Sequence, residues 1–183
     1  MKRCAVVVGH SRTSGGAVNV ASGTSEYEFN SQLAARICER VFVSTRGVET
    51  VRVERGTYAL LPRKVNALNP DFAIELHANA FNGIATGTEV LYWHSSVLGL
   101  EIANIFQKYI TECLKLRDRG AKPCKITDRG GYFLWGVKAP ALIIEPFFID
   151  NDADLLAATQ RFDALAVAYY NAVNEASVLL TRG

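Results

Sequence analysis

A short apolar segment that ends in polar residues limits the possible folds more than any other part of the chain. Residues 70–81 read PDFAIELHANAF, in which alternate positions from 72 to 76 are large and apolar. This pattern predicts a buried strand over residues 70–77. Side chains two positions apart on a strand share a face, so Glu75 and His77 point the same way. Two interpretations follow: a core histidine satisfied by a carboxylate, or a polar pair at the carboxyl end of a strand, where α/β folds place their sites.

The remainder of the chain predicts strands that alternate with helices. Further strands are predicted at residues 5–8, 49–53, 88–93 and 141–145, and helices at 25–43, 57–68, 96–116 and from 150 towards 180. Segment 117–129 is predicted to be a basic loop, and residues 132–135 form a short apolar piece. The alternation indicates an α/β fold, a sheet with helices on both faces, and neither a repeat nor a linker divides it. We therefore expect residues 1–183 to form a single domain.

Composition and charge exclude several classes of protein. The chain has 183 residues, of which 49% are hydrophobic and 21% charged, as in a globular domain with a sizeable core. Its net charge of +2 argues against a nucleic-acid partner. The four cysteines form no CxxC pair, which argues against a zinc finger or a disulfide framework. The apolar run at 4–8 is too short for a signal peptide, so we expect synthesis in the cytoplasm and no stable membrane association.

Four polar residues stand where the predicted elements begin or end. His10, His77 and Glu145 follow or end apolar strands, and Glu26 opens a helix. Strand ends and helix starts can meet at one edge of an α/β sheet. Two imidazoles and one carboxylate suit catalytic zinc, which leaves a fourth position to water, and a remaining carboxylate can act as general base. The plainer alternatives are a loop histidine, a first-turn carboxylate favoured by the helix dipole, and an acid at a strand-to-loop junction.

Several motifs, taken in order, resemble one enzyme family. These are Gly-His at 9–10, the Glu26/Asn30 pair, ELHAN at 75–79 and IIEPFFIDN at 143–151, together with GTEVLYW at 87–93 and RDRGAK at 117–122. They resemble the zinc-dependent N-acetylmuramoyl-L-alanine amidases of the amidase-3 type, in particular the catalytic domains of phage endolysins. Two positions differ from many relatives: Val7-Val8 precedes Gly-His in place of Asp-Pro, and Pro146-Phe147 lacks a glycine before the aromatic residue.

The resemblance implies a fold, a metal and a reaction. It implies a twisted, mixed, mainly parallel sheet of about six strands, and one zinc ion held by His10, Glu26 and His77. It also implies that Glu145 is the catalytic acid and base in an endolysin that hydrolyses peptidoglycan between N-acetylmuramic acid and L-alanine at the bacterial cell wall. We expect no separate cell-wall-binding domain. Further residues are expected to support the ligands or contact substrate: Glu75, Asn79, Asn30 and Arg119. For Glu75, a buried ion pair is the alternative to orienting His77.

Three other functions remain as alternatives. The first is a zinc-dependent peptidase or aminoacylase that acts on another amide. The second is a binding module with a structural metal, although such sites usually have four protein ligands and only three are found here. The third is a nucleic-acid binder that uses residues 117–129, where interspersed aspartates oppose the basic charge. The sequence defines neither the target bacterium nor the oligomeric state.

Overall fold

Six strands and six α-helices make up the computed structural model, which describes residues 1–41 and 47–181. The strands are β1 (Lys2–Val8), β2 (Val48–Glu54), β3 (Phe72–Leu76), β4 (Thr88–Trp93), β5 (Asp118–Cys124) and β6 (Ala141–Glu145). The helices are α1 (Glu26–Val41), α2 (Leu61–Asn66), α3 (Val97–Leu114), α4 (Gly131–Gly136), α5 (Asp152–Gln160) and α6 (Phe162–Leu179). A 3-10 turn at Tyr58–Leu60 precedes α2.

The strands form one sheet in the order β2-β1-β3-β6-β4-β5. β1 is parallel to β2 and to β3, and β3 is parallel to β6. β4 runs antiparallel to β6, and β5 is parallel to β4. The prediction of a mixed, mainly parallel sheet of about six strands is confirmed. The carboxyl ends of β1, β3 and β6 consequently lie side by side, next to the start of β4.

Apolar layers cover both faces of the sheet, as the alternation of side chains requires. Val6 and Ile74 pack into the larger layer with residues of α1, α3 and α6, among them Phe106. Val7 faces the opposite side, in a smaller layer that includes Phe133 of α4. Helices therefore lie on both faces, as predicted. None of the described helices is both long and apolar enough to cross a membrane.

Several predicted boundaries differ from the observed ones. α1 is described to Val41, and its predicted end at 43 lies outside the described residues. The predicted helix at 57–68 is a 3-10 turn followed by α2, because Pro62 suits only the first turn of a helix. The predicted last helix is two helices, since Arg161 leaves helical geometry at φ −108° and ψ 20°. The apolar piece at 132–135 lies within α4.

The prediction of a loop over 117–129 is wrong for its first half. Residues 118–124 form β5, which pairs with β4 at the edge of the sheet. An edge strand is paired on one side only, so it accepts the charged residues and the proline that made this segment look like a loop.

Candidate active site

Three neighbouring strands, β1, β3 and β6, bring His10, His77 and Glu145 together at their carboxyl ends. The parallel pairing continues past the strand ends, because Gly9 N donates to Leu76 O at 2.9 Å and His77 N donates to Ile144 O at 3.0 Å. His77 therefore lies between the end of β1 and the end of β6.

Glu26 reaches the same place from the first turn of α1. Ser25 and Glu28 form a capping box, in which Ser25 N donates to Glu28 Oε2 at 2.9 Å and Glu28 N donates to Ser25 Oγ at 3.2 Å. Backbone amides hold the Glu26 carboxylate: Ala17 N donates to Oε2 at 3.2 Å, and Ala78 N donates to Oε1 at 3.1 Å. These contacts bury Glu26 to 1% exposure and fix its direction.

The two histidines lie on either side of this carboxylate. One possible ligand atom from each of His10, Glu26 and His77 lies within 4.8 Å of the other two. His77 Nδ1 is 2.7 Å from Glu26 Oε1, and His10 Nε2 is 3.1 Å from Glu26 Oε2. The second contact does not have hydrogen-bond geometry, so the buried His10 Nε2 has no hydrogen-bond partner among the described residues. Two nitrogen donors and one carboxylate fit zinc better than magnesium or calcium, and three protein ligands leave a position for water.

Two glycines allow these side chains to approach one another so closely. A Cβ on Gly16 would lie 2.5 Å from Glu26 Oε2 and 2.7 Å from His10 Cδ2, and its φ of +78° also disfavours a side chain. A Cβ on Gly9 would lie 2.8 Å from His77 Nε2 and 2.2 Å from Leu76 O. His10 itself has a φ of 64°, an uncommon conformation for a residue with a side chain. The absence of a side chain at positions 9 and 16 therefore leaves room for the three donor atoms to approach one another.

The charges in this cluster shift one another's protonation. Burial alone would raise the pKa of Glu26, but the neighbouring His10 and His77 lower that pKa well below its usual value. Burial alone would lower the pKa of His77, but Glu75 and Glu26 raise that pKa well above its usual value. Attraction between opposite charges in the cluster therefore outweighs the effect of burial on both of these pKa values.

Glu145 lies beside this cluster with no described partner for one of its oxygens. Its Oε2 is buried and accepts no hydrogen bond from the described residues. Burial raises the pKa of Glu145 to about 7; Glu26 and Glu89 add to this effect, while His77 and Arg129 oppose it. The plainer interpretation, an acid held by a lysine or by backbone amides, lacks such a partner for Oε2. A carboxyl group with a pKa near neutrality is suited to both accepting and returning a proton.

Glu75 faces the side of the His77 ring that is turned away from Glu26. Glu75 is 1% exposed, and its Oε1 lies 3.3 Å from His77 Nε2 and 3.9 Å from Arg55 Nη1. The predicted common face of Glu75 and His77 is observed. A carboxylate at Nε2 favours a proton on that nitrogen, so that Nδ1, which faces Glu26, is the nitrogen suited to bind a metal.

The other predicted supporting residues occupy different places. Asn79 Nδ2 donates to Glu89 Oε1 at 2.7 Å, and Arg119 Nε donates to Glu89 Oε2 at 2.7 Å. Glu89 itself lies opposite Glu145 in the β4–β6 pair. Asn30 is fully buried, and neither of its amide atoms has a hydrogen-bond partner among the described residues. Asn79 and Arg119 thus both contact Glu89, which is the residue paired with Glu145.

Both histidines, Glu75 and Glu145 line one cleft of about 300 Å³, and Glu26 lies behind the histidines. Its lining includes four polar residues that were not candidates from the sequence: Arg55, Tyr58, Glu89 and Arg129. The GTEVLYW motif contained Glu89, but its position opposite Glu145 depends on the antiparallel pairing of β4 with β6. The other lining residues include His10, Glu75, His77, Asn79 and Glu145.

Comparison with known proteins identifies relatives of the whole fold. A family model described as N-acetylmuramoyl-L-alanine amidase matches residues 5–175. An uncharacterized cell wall amidase of Bacillus anthracis is 33% identical over 92 residues, which are 46% of this chain but only 16% of that protein's length. The chain thus matches a small part of this curated relative.

Solved structures share the fold over nearly its full length. The catalytic domain of the CD27L endolysin, which targets Clostridia difficile, is 27% identical with a TM-score of 0.78, and the match covers 95% of this chain and 96% of that one. The CwlD amidase of Clostridioides difficile, solved with the GerS lipoprotein, has a TM-score of 0.85 at 19% identity, over 98% of this chain and 100% of that one. The family match spans all six motifs from which the sequence resemblance was drawn and confirms the resemblance to this amidase family. The chain belongs to the N-acetylmuramoyl-L-alanine amidases, a family of hydrolases.

Proposed function

We propose that this protein hydrolyses the amide bond between N-acetylmuramic acid and L-alanine in peptidoglycan, with one zinc ion held by His10, Glu26 and His77. The observation that supports this most strongly is the close approach of three donor atoms, within 4.8 Å, where His10 and His77 line the same cleft as Glu145. Membership of the amidase family supports the choice of bond. The likeness to the catalytic domain of an endolysin supports action on the bacterial cell wall.

Each residue has a distinct part in the proposed reaction. A zinc ion held by His10, Glu26 and His77 would supply Lewis acidity, which would polarise an amide carbonyl and lower the pKa of a water molecule to about 7. Glu145 accepts the proton of the attacking water and returns it to the nitrogen of the leaving L-alanine. Glu75 keeps the proton of His77 on Nε2, so that Nδ1 stays available as a ligand atom. The backbone amides of Ala17 and Ala78 hold the Glu26 carboxylate in place.

The decisive experiment digests purified peptidoglycan and identifies the fragments by mass spectrometry. We expect peptides with a free amino-terminal L-alanine and intact glycan strands, because only the amide bond is cut. Removal of metal with a chelator should stop the release of peptides, and added zinc should restore it. Glu145→Gln protein is the matched control for contaminating hydrolases.

The same experiment separates the proposal from its alternatives. Cleavage within the stem peptide would instead identify a peptidase, and new reducing sugars would identify a glycosidase. Full activity in chelator that also removes bound metal would contradict the zinc assignment.

A further inference from the structure

A second groove, of about 600 Å³, continues from the catalytic cleft along the start of β4. Asn79 and Glu89 line both the cleft and this groove, so the two form a continuous surface. Phe81, Ile84 and Arg117 line the groove but not the cleft. A ligand bound at the catalytic cleft therefore has a path into the groove.

The loop that carries Phe81 and Ile84 is held firmly by hydrogen bonds. Asp150 Oδ2 accepts hydrogen bonds from Phe81 N and Gly83 N, both at 2.9 Å. Asp154, which is 2% exposed, accepts a hydrogen bond from Gly87 N at 3.2 Å. Nevertheless the side chain of Phe81 is 79% exposed and that of Ile84 is 77% exposed. Two large apolar side chains kept in water on an ordered loop are typical of a surface that binds a ligand.

The groove and the cleft differ in charge. The two arginines of the groove, Arg117 and Arg119, outnumber its one lining carboxylate, Glu89. Arg119 is already occupied, because it donates to Glu89 and lies over the Phe148 ring at 5.0 Å. Arg117 is exposed and forms no ion pair with any described residue. In the cleft, by contrast, three carboxylates face two arginines.

We propose that this groove binds the peptide half of the substrate, with Arg117 contacting a peptide carboxylate and Phe81 and Ile84 packing on the aliphatic atoms. The inference rests on the proposed amidase function, in which the bond cut joins a sugar to a peptide that begins with L-alanine. Such a peptide carries a negative charge wherever one of its carboxyl groups is free. The excess positive charge and the exposed apolar side chains of the groove complement that half of the substrate better than the acidic cleft does.

The test compares two synthetic peptides that begin with L-alanine and differ only in whether their carboxyl groups are free or amidated. Titration calorimetry on the zinc-loaded protein should show the free acid binding about three- to fivefold more tightly, as expected of an exposed charge pair. Arg117→Ala should remove this difference, whereas Phe81→Ala should weaken both peptides equally. Lys122→Ala, which alters an exposed cation of β5 outside the groove, is the matched control and should change neither affinity.

Peptide binding needs no turnover, so the result is separable from that of the wall digestion. If the parent protein releases peptides from peptidoglycan but binds both peptides equally, the groove assignment is wrong and the amidase proposal stands. The assignment is also overturned if an oligomer of N-acetylglucosamine, which carries no peptide, binds the parent and loses affinity in Phe81→Ala. On a soluble substrate, Arg117→Ala should raise KM and leave kcat unchanged; a fall in kcat alone would contradict a binding role.

Discussion

At the scale of single residues, the buried carboxylate of Glu145 is expected to destabilise the metal-free fold once it is ionised. Burial raises the pKa of Glu145 to about 7 from its usual value of 4.5. Between these two pH values the folded protein keeps a proton that the unfolded chain has already lost, so the free energy of unfolding falls as pH rises. The penalty is absent below the lower value and complete above the higher one. Such a cost is expected where a group is retained for chemistry rather than for stability.

Glu145→Gln should therefore stabilise the metal-free protein at high pH. Replacing the carboxylate by an amide of the same shape should raise the free energy of unfolding at pH 8 by roughly 1–3 kcal/mol. At pH 4.5, where the parent side chain is protonated in the fold, the difference should nearly vanish. Denaturant unfolding in chelator at both pH values measures this. If the variant is the less stable protein at pH 8, Glu145 belongs to a stabilising ion pair instead.

The sequence was informative about residues that stand at the ends of elements. His10, Glu26, His77 and Glu145 were selected because they follow strands or open a helix, and the structure brings these four together. Glu89 was not a candidate from the sequence. It lies at the start of β4, and no local pattern shows that β4 pairs with β6. Its place near Glu145 depends on the pairing of residues 56 positions apart.

At the scale of elements, β5 is an edge strand that contains Arg119 and Lys122 and has further cations on either side of it in the sequence. This strand was not predicted because its composition is polar. Periodicity identifies strands that bury one face, whereas most residues of this edge strand are exposed or half-exposed. The basic residues on and around it are Lys115, Arg117, Arg119, Lys122 and Lys125. Arg119 is held by Glu89, so the remaining four are the charges available to an anionic wall polymer.

Binding of the protein to purified cell walls should weaken as salt rises. Exposed charges are screened over about 8 Å at physiological ionic strength, so their attraction for anionic polymers falls steeply with added salt. The Glu145→Gln variant should be used, because it binds without digesting the walls. The double variant Lys122→Ala/Lys125→Ala should bind less at low salt and approach the parent at high salt. Affinity unchanged by salt would point instead to exposed aromatic residues such as Trp135.

At the scale of the whole molecule, the candidate metal site joins parts of the chain that are far apart in sequence. The three proposed ligands come from the end of β1, the start of α1 and the end of β3, and Glu145 ends β6. The α/β class and the layers of helices could be predicted from local patterns. The strand order and the reversal of β4 and β5 could not, because they depend on long-range pairing that no local pattern encodes. Metal binding at such a site should stabilise the whole fold.

The most direct test of this account measures zinc content and wall-lysis rate together in two variants beside the parent. Glu145→Gln should keep about one zinc per chain, because it removes no proposed ligand. Its lysis rate should fall by roughly 10²–10⁴, as expected on loss of a general base. His77→Ala should lose zinc and activity and melt at a lower temperature than the parent. Near-parent lysis by Glu145→Gln, or full zinc occupancy in His77→Ala, would contradict the account.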